Sequence, residues 1–338
     1  MTDLAITALV VPAVTAWIVI AILRRSRLAR PLADIPNERS LHASPTPRVG
    51  GLGFIIAALP VVAWVGDAEI AILAACAALL AVVSIFDDVR SLPISVRLPA
   101  HAAAATVAIL AIAGPARAHG GLGVVEAAVA IVAIVWMTNL YNFMDGSDGL
   151  AGGMTVIGFG ALALAAASAR EWPLAATCAA IASAGVGFLA HNFPPARVFL
   201  GDAGSIPLGF LAAALGLHGT LVDAWPLAFP LIVFSPFIAD ATATLARRVL
   251  RGEAFWRAHR SHYYQRLVLA GWSRRRLALA AYAVMAAAAV SAWALRPAEA
   301  NVRFAIIACW VALYAVLFLA IERRVRPVAP DPGPSHGI

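Results

Sequence analysis

Residues 139–153, NLYNFMDGSDGLAGG, place Asn139, Asn142, Asp145 and Asp148 at intervals of three between two apolar runs that are each long enough to cross a bilayer. Amides and carboxylates at a hydrocarbon boundary cost at least a few kcal/mol unless they face a partner, a cavity or water, so their presence points to function. On a helix each step of three rotates by about 300°, so neighbours touch but the stripe drifts, and Asn139 and Asp148 finish on opposite faces. A regular helix cannot aim all four at one centre, and the helix is expected to open at Gly146 and Gly149. A polar helix end with Asx caps is the plain alternative. Two Asp, two Asn and four Gly in this stretch are more than capping requires.

Other acids fall in comparable places. Asp87 and Asp88 close an apolar run. Adjacent helical residues point about 100° apart, so the pair is expected to divide its roles, one carboxylate toward a metal or phosphate and the other toward a proton or an arginine such as Arg97. Asp202 lies in VFLGDAGS directly before another apolar run, flanked by Gly201 and Gly204. Glycines admit close backbone approach, helix-start amides favour phosphate, and a lone carboxylate suits Mg²⁺, which takes one or two protein carboxylates plus phosphate oxygens and water. By itself Asp202 would read as a helix cap. In PTPRVGGLG, Arg48 supplies charge beside Gly50, Gly51 and Gly53, which permit close packing or phosphate approach. HRSHYYQRL carries His259, Arg260 and His262; the His spacing could be argued for zinc, but anion or sugar hydrogen bonding fits better without Cys or acidic neighbours in that stretch.

These residues need a scaffold. The chain has 338 residues, 62% hydrophobic and 13% charged, far from a soluble profile. An all-α, polytopic membrane protein is expected, with apolar segments near 3–23, 50–66, 69–86, 98–114, 122–139, 151–169, 173–191, 204–218, 224–243, 277–295 and 302–321. Two are short, so ten or eleven spans are expected. The first run lacks a preceding basic region and a cleavage site and is read as a retained span. Residues 1–325 read as one integral membrane domain and 326–338, rich in Pro and Gly, as a disordered tail. Cys76, Cys178 and Cys309 lie within apolar runs, too dispersed for a metal motif or a disulfide framework.

The net charge of +7 comes wholly from arginine among the basic residues. It reads as charge at membrane-span ends and not as nucleic-acid binding. Of the 25 basic residues, 21 fall in alternate loops, and only Arg117, Arg170, Arg296 and Arg303 lie in the others. The positive-inside rule then puts the N-terminus outside, the C-terminus inside, and every polar-rich loop on the cytoplasmic face. A one-sided site for an anionic cytoplasmic substrate follows. A transporter, the rival class, should distribute polar groups along a path, often with inverted repeats. No such repeat is visible, and Asp240 stands nearly alone as an acid inside a span.

Taken in order, DIPNERSLHASPTPRVGG, the Asp87–Asp88 pair, NxxNxxDGxDGLAGG, VFLGDAGS and a final loop with paired His resemble the polyprenyl-phosphate N-acetylhexosamine-1-phosphate transferases. These are bacterial glycan-initiating enzymes of glycosyltransferase 4 type, related to phospho-N-acetylmuramoyl-pentapeptide transferase. The resemblance covers about residues 34–276. It implies transfer of a sugar 1-phosphate from a UDP-N-acetylhexosamine to polyprenyl (undecaprenyl) phosphate, with release of UMP, at the bacterial inner membrane. It implies Mg²⁺, with Mn²⁺ as its substitute, and leaves a homodimer open. Carried over by position, Asp202 matches the metal-ligand aspartate, with Asn142 counted beside it. Asp87 matches the residue proposed to position or deprotonate the acceptor phosphate, with Asp88 next to it. Asn139, Asn142, Asp145 and Asp148 match the block associated with nucleotide and pyrophosphate; His259, Arg260 and His262 match the donor-sugar loop. Arg48 and Asn192 are counted as substrate-binding. The final loop departs from the His-rich cluster of the pentapeptide transferases, which favours an O-antigen or teichoic-acid type of enzyme. An enzyme of CDP-alcohol phosphotransferase type would need a DG…AR…G…D…D spacing that is absent after Asp145.

Overall fold

A computed structural model describes residues 2–36, 44–116, 122–253 and 259–325. The proposed disordered tail, 326–338, and residues 37–43 of the first polar loop lie outside the described residues. The chain begins with α1 (Thr2–Leu9) and α2 (Val11–Leu23), which together supply the apolar stretch Ile6–Leu23. A two-residue antiparallel pair, β1 (Ala33–Asp34) with β2 (Thr46–Pro47), aligns Asp34 with Thr46 and delivers Arg48 to the start of α3 (Gly50–Val65). Then follow α4 (Ala68–Arg90), α5 (Ile94–Ala116), α6 (Val124–Phe143), α7 (Leu150–Ser168), α8 (Trp172–Asn192) and α9 (Asp202–Leu221). The chain closes with α10 (Ala228–Val233), α11 (Ser235–Leu250), α12 (Tyr263–Leu269), α13 (Arg274–Leu295) and α14 (Ala300–Arg324).

Among the described residues nine helices are long and apolar enough to cross a membrane. The protein is therefore a multi-pass, all-helical membrane protein apart from the β1–β2 pair. Two of the eleven expected spans differ. The 50–66 segment is α3, only 16 residues long, with Pro60 inside it. The 224–243 segment breaks at Phe234, where α10 ends and Pro236 opens α11, because proline cannot donate to the preceding turn. Helix α11 then runs on to Leu250, carrying Arg247 and Arg248 in its last turn.

Burial separates core from periphery. The apolar stretch of α9 is 78% buried and that of α14 only 11%, so α9 lies inside the bundle and α14 on its lipid side. Helices α7 and α8 pack side by side; α9 packs against α4 and α6. Small residues allow these approaches, which in a bilayer rest on close packing more than on hydrophobic burial. A Cβ on Gly209 would stand 2.5 Å from the Met137 carbonyl oxygen, so α9 and α6 meet backbone to backbone.

Candidate active site

The site forms where helix ends meet on one face. Pro47, Gly50 and Gly51 zip onto the strand-like residues before α9: Phe199 N–H donates to the Pro47 carbonyl (2.9 Å), Gly50 N–H to Phe199 (2.9 Å) and Gly51 N–H to Leu200 (2.8 Å). A Cβ on Gly51 would lie 2.5 Å from the Gly204 amide nitrogen. Gly51 and Gly204 thus serve backbone packing, which is one of the two uses expected for Gly51. Asp202 becomes the first residue of α9, after Gly201 at φ 71°.

The adjacent acids diverge as their 100° offset requires. Asp87 is buried and takes Leu92 N–H (2.7 Å) and the Arg97 guanidinium (2.8 Å). Asp88 takes Arg48 (3.3 Å), whose other arm holds Asp34 (2.6 Å). Both arginines stay more than one-third exposed, and a guanidinium has five N–H groups, so each keeps donors for an anion.

Helix α6 ends at Phe143 and α7 begins at Leu150, so the chain opens across the 144–149 turn with Gly149 at φ 76°. The four polar residues of this block separate accordingly. Asn142 accepts from Ser205 Oγ (2.8 Å) and donates to Asp202. Asp145 accepts from Gly201 N–H and lies within electrostatic reach of Asp202, Asp88 and Arg48. Burial first, and then the charge of Asp202, hold the Asp145 carboxyl well above the usual range. Asn139 instead donates to the Val135 carbonyl (2.7 Å) and approaches His101 Nδ1 (3.4 Å). Asp148 is buried and accepts from Ala196 N–H (3.0 Å) and Arg274 (3.3 Å). Asn192 accepts from Gly149 N–H (2.8 Å) and donates to the Val198 carbonyl (2.9 Å).

Asp88, Asp145, Asp202, Asn142 and Arg48 are therefore brought together. Asp87 stands beside them through Arg97; Asn139, Asp148 and Asn192 hold neighbouring backbone or helices. His262 lies under the final loop, 5.0 Å ring to ring from His259 and 6.1 Å from Phe143. Burial, then the neighbouring His262 and the charges of Arg248 and Arg247, push His259 down to about 3. Arg260 follows His259 in the same loop. Sequence reasoning passed over Asp240 as a partner of this loop: it binds His262 Nδ1 (3.3 Å) from α11, 22 positions away in the chain. That separation hides it, and an isolated acid within an apolar run is the one available signal.

Among the described residues no three His, Cys, Asp or Glu side chains are grouped to enclose an ion. What the site offers is a set of half-buried carboxylates that repel one another, with Arg48 already shared between Asp34 and Asp88. Such a donor set fits a hard divalent cation that completes its shell with phosphate oxygens and water. It does not fit a structural zinc site.

A helical membrane protein with acids and arginines gathered at one face is suited to anionic phosphate chemistry. Residues 70–220, somewhat under half of the chain, match the model of glycosyl transferase family 4, and the match marks the protein as a sugar-1-phosphate transferase. The match implies a metal-dependent transferase. The chain is 28% identical, over 95% of its length and 90% of the relative's, to the probable undecaprenyl-phosphate N-acetylglucosaminyl 1-phosphate transferase of Bacillus subtilis. It is 28% identical to the undecaprenyl-phosphate alpha-N-acetylglucosaminyl 1-phosphate transferase of Yersinia pestis, over 72% of this chain and 71% of that one. Identity to the phospho-N-acetylmuramoyl-pentapeptide-transferase of Acaryochloris marina is 34%, over 52% and 47% of the two chains.

Proposed function

We propose that this protein transfers an N-acetylhexosamine 1-phosphate, with N-acetylglucosamine the first candidate, from its UDP-sugar to polyprenyl phosphate, releasing UMP. The reaction opens the membrane stage of a cell-envelope polysaccharide, of the O-antigen or teichoic-acid kind. The active face is cytoplasmic, with the N-terminus outside and the C-terminus inside, as the arginine bias supports. The convergence of Asp88, Asp145, Asp202 and Asn142 from the ends of α4, α6 and α9 carries this reading. The extent of similarity to the N-acetylglucosaminyl relatives supports the sugar; the pentapeptide transferases align with only about half of this chain.

In this reaction an oxygen of the lipid phosphate attacks the sugar-bearing phosphorus of the donor. A new P–O bond forms, the bond to the bridging oxygen breaks, and UMP leaves with that oxygen. Bringing two anions together demands neutralisation and in-line positioning more than covalent chemistry by the protein. Arg48 and Arg97, on opposite sides of the acid pair, bind and orient phosphate oxygens. Asp87 steadies Arg97, and Asp88 steadies Arg48 and takes up a proton from the acceptor phosphate when it arrives protonated. Asp202, supported by Asn142 and faced by Asp145, would hold Mg²⁺ or Mn²⁺. The bound ion would supply charge neutralisation of the diphosphate. Histidines 259 and 262, with Arg260, face the donor side.

The test supplies membranes containing the protein with polyprenyl phosphate, Mg²⁺ and a panel of UDP-N-acetylhexosamines. UMP release with at least one donor is expected, and Asp202→Asn should lose the metal-dependent turnover while remaining folded. Folded protein that releases no UMP with any donor refutes the function.

A further inference from the structure

Asp240 is a buried carboxylate, 6% exposed, that the transfer reaction as set out above does not use. Four donors converge on it. Its Oδ1 accepts from Thr244 Oγ1 (3.2 Å), Tyr263 N–H (2.9 Å) and His262 Nδ1 (3.3 Å), and its Oδ2 accepts from Tyr264 N–H (2.9 Å). Two of these are the first N–H groups of α12, which lack partners inside their own helix. The carboxylate on α11 thus acts as the cap of a helix that begins 23 residues later.

The third contact has a chemical consequence. A ring nitrogen set against a carboxylate carries the proton, so Nε2 of His262 is left with a lone pair in the neutral ring and an N–H in the cation. Ring orientation is fixed as well. His262 is stacked on Tyr264 (5.8 Å, 21°) and bracketed by His259 and Phe143. Tyr264 in turn donates to the Phe143 carbonyl (3.0 Å), and its hydroxyl would stand 2.1 Å from a Cβ on Gly146. One carboxylate on α11 therefore seats α12 against the turn that carries Asp145, and sets the imidazole between them.

We propose that Asp240 is a positioning residue for the sugar-phosphate transfer: it holds His262 in its Nδ1–H form with Nε2 turned to the donor substrate. This rests on the reaction proposed above for the identity of that donor, whereas the tautomer does not depend on it.

Two measurements test the proposal. Protein labelled with ¹⁵N-histidine is studied by NMR in lipid nanodiscs, with the His262 resonances assigned by their loss in His262→Gln. Protonated Nδ1 and unprotonated Nε2 are expected in the wild type, and redistribution between tautomers in Asp240→Asn, which exchanges one acceptor for a donor. A wild-type ring protonated at Nε2 overturns the proposal. In the second measurement, UMP release is followed in Asp240→Asn, His262→Gln and the double variant, per folded molecule. Disturbing a group that orients an active-site imidazole costs about 10- to 100-fold by analogy with the outer partners of metal-bound histidines. Asp240→Asn should lose that much in kcat/KM for the UDP-sugar, and should add less than about 3-fold to His262→Gln, a coupling that marks action through His262. Fully multiplicative losses overturn the proposal, as does Asp240→Asn that only lowers the folded yield and leaves kcat/KM and tautomer unchanged. A wild type inert with every donor would refute the proposed reaction while the NMR result still decides the tautomer.

Discussion

Asn192 gives the sharpest separation between a brace and a substrate contact. Its side chain is 3% exposed and spans two turns: it accepts from Gly149 N–H at 2.8 Å, in the turn after Asp145, and donates to the Val198 carbonyl at 2.9 Å, ahead of Asp202. Asn192→Ala would orphan both backbone groups in a region without ready access to water. Each buried group left unsatisfied costs about 1–3 kcal/mol, so the two together cost roughly 2–6 kcal/mol. Asn192→Asp keeps an acceptor for Gly149 but sets a charge against the Val198 carbonyl, and should destabilise at least as much. Thermal unfolding of purified protein in detergent, read by circular dichroism, should show clearly lowered midpoints for both variants. Activity per folded molecule should fall as Asp145 and Asp202 lose their mutual alignment. Unchanged midpoints with a selective loss of donor affinity would refute the reasoning and make Asn192 a substrate contact.

Two further outcomes follow from the final loop and its floor. His259 is held neutral down to about 3, while an unfolded chain protonates it near 6.5; its contribution to stability is therefore complete above the unfolded value and is lost as pH falls from about 6.5 toward 3. His259→Gln should show a shallower loss of thermal stability on acidification than the wild type, and equal slopes would contradict the assigned burial. Gly146→Ala places a methyl where the Tyr264 hydroxyl stands. Displacing that ring costs about 1–3 kcal/mol of overpacking and breaks its bond to Phe143, so donor KM should rise, and Gly146→Ala combined with Tyr264→Phe should recover part of the loss in the same UMP assay.

Much of this protein is written in linear patterns. Apolar length and the arginine bias are properties of the chain itself, because a bilayer reads segments about 20 residues at a time. They mark a multi-pass helical protein, and the order of five motifs points to the transferases it resembles. The opening of the helix near Gly146 and Gly149 is legible too, since a 3.6-residue turn cannot converge four residues spaced by three. So is the divergence of Asp87 and Asp88 and the pairing of one of them with Arg97, although Asp88 takes an arginine as well, Arg48.

What tertiary structure alone decides is which polar groups meet. Asp145 and Asp148 look equivalent in the sequence, yet one faces Asp202 and the other is consumed by Arg274 and Ala196. Asn142 joins the acids while Asn139, one turn earlier, turns to α5 and His101. Asp240 acquires its partners only when α12 folds back onto α11. The physical reason is shared by all three cases. Hydrophobic periodicity places a residue at a depth in the membrane, but hydrogen bonds act over about 3 Å, and which partner comes that close is set by contacts between helices far apart in the chain.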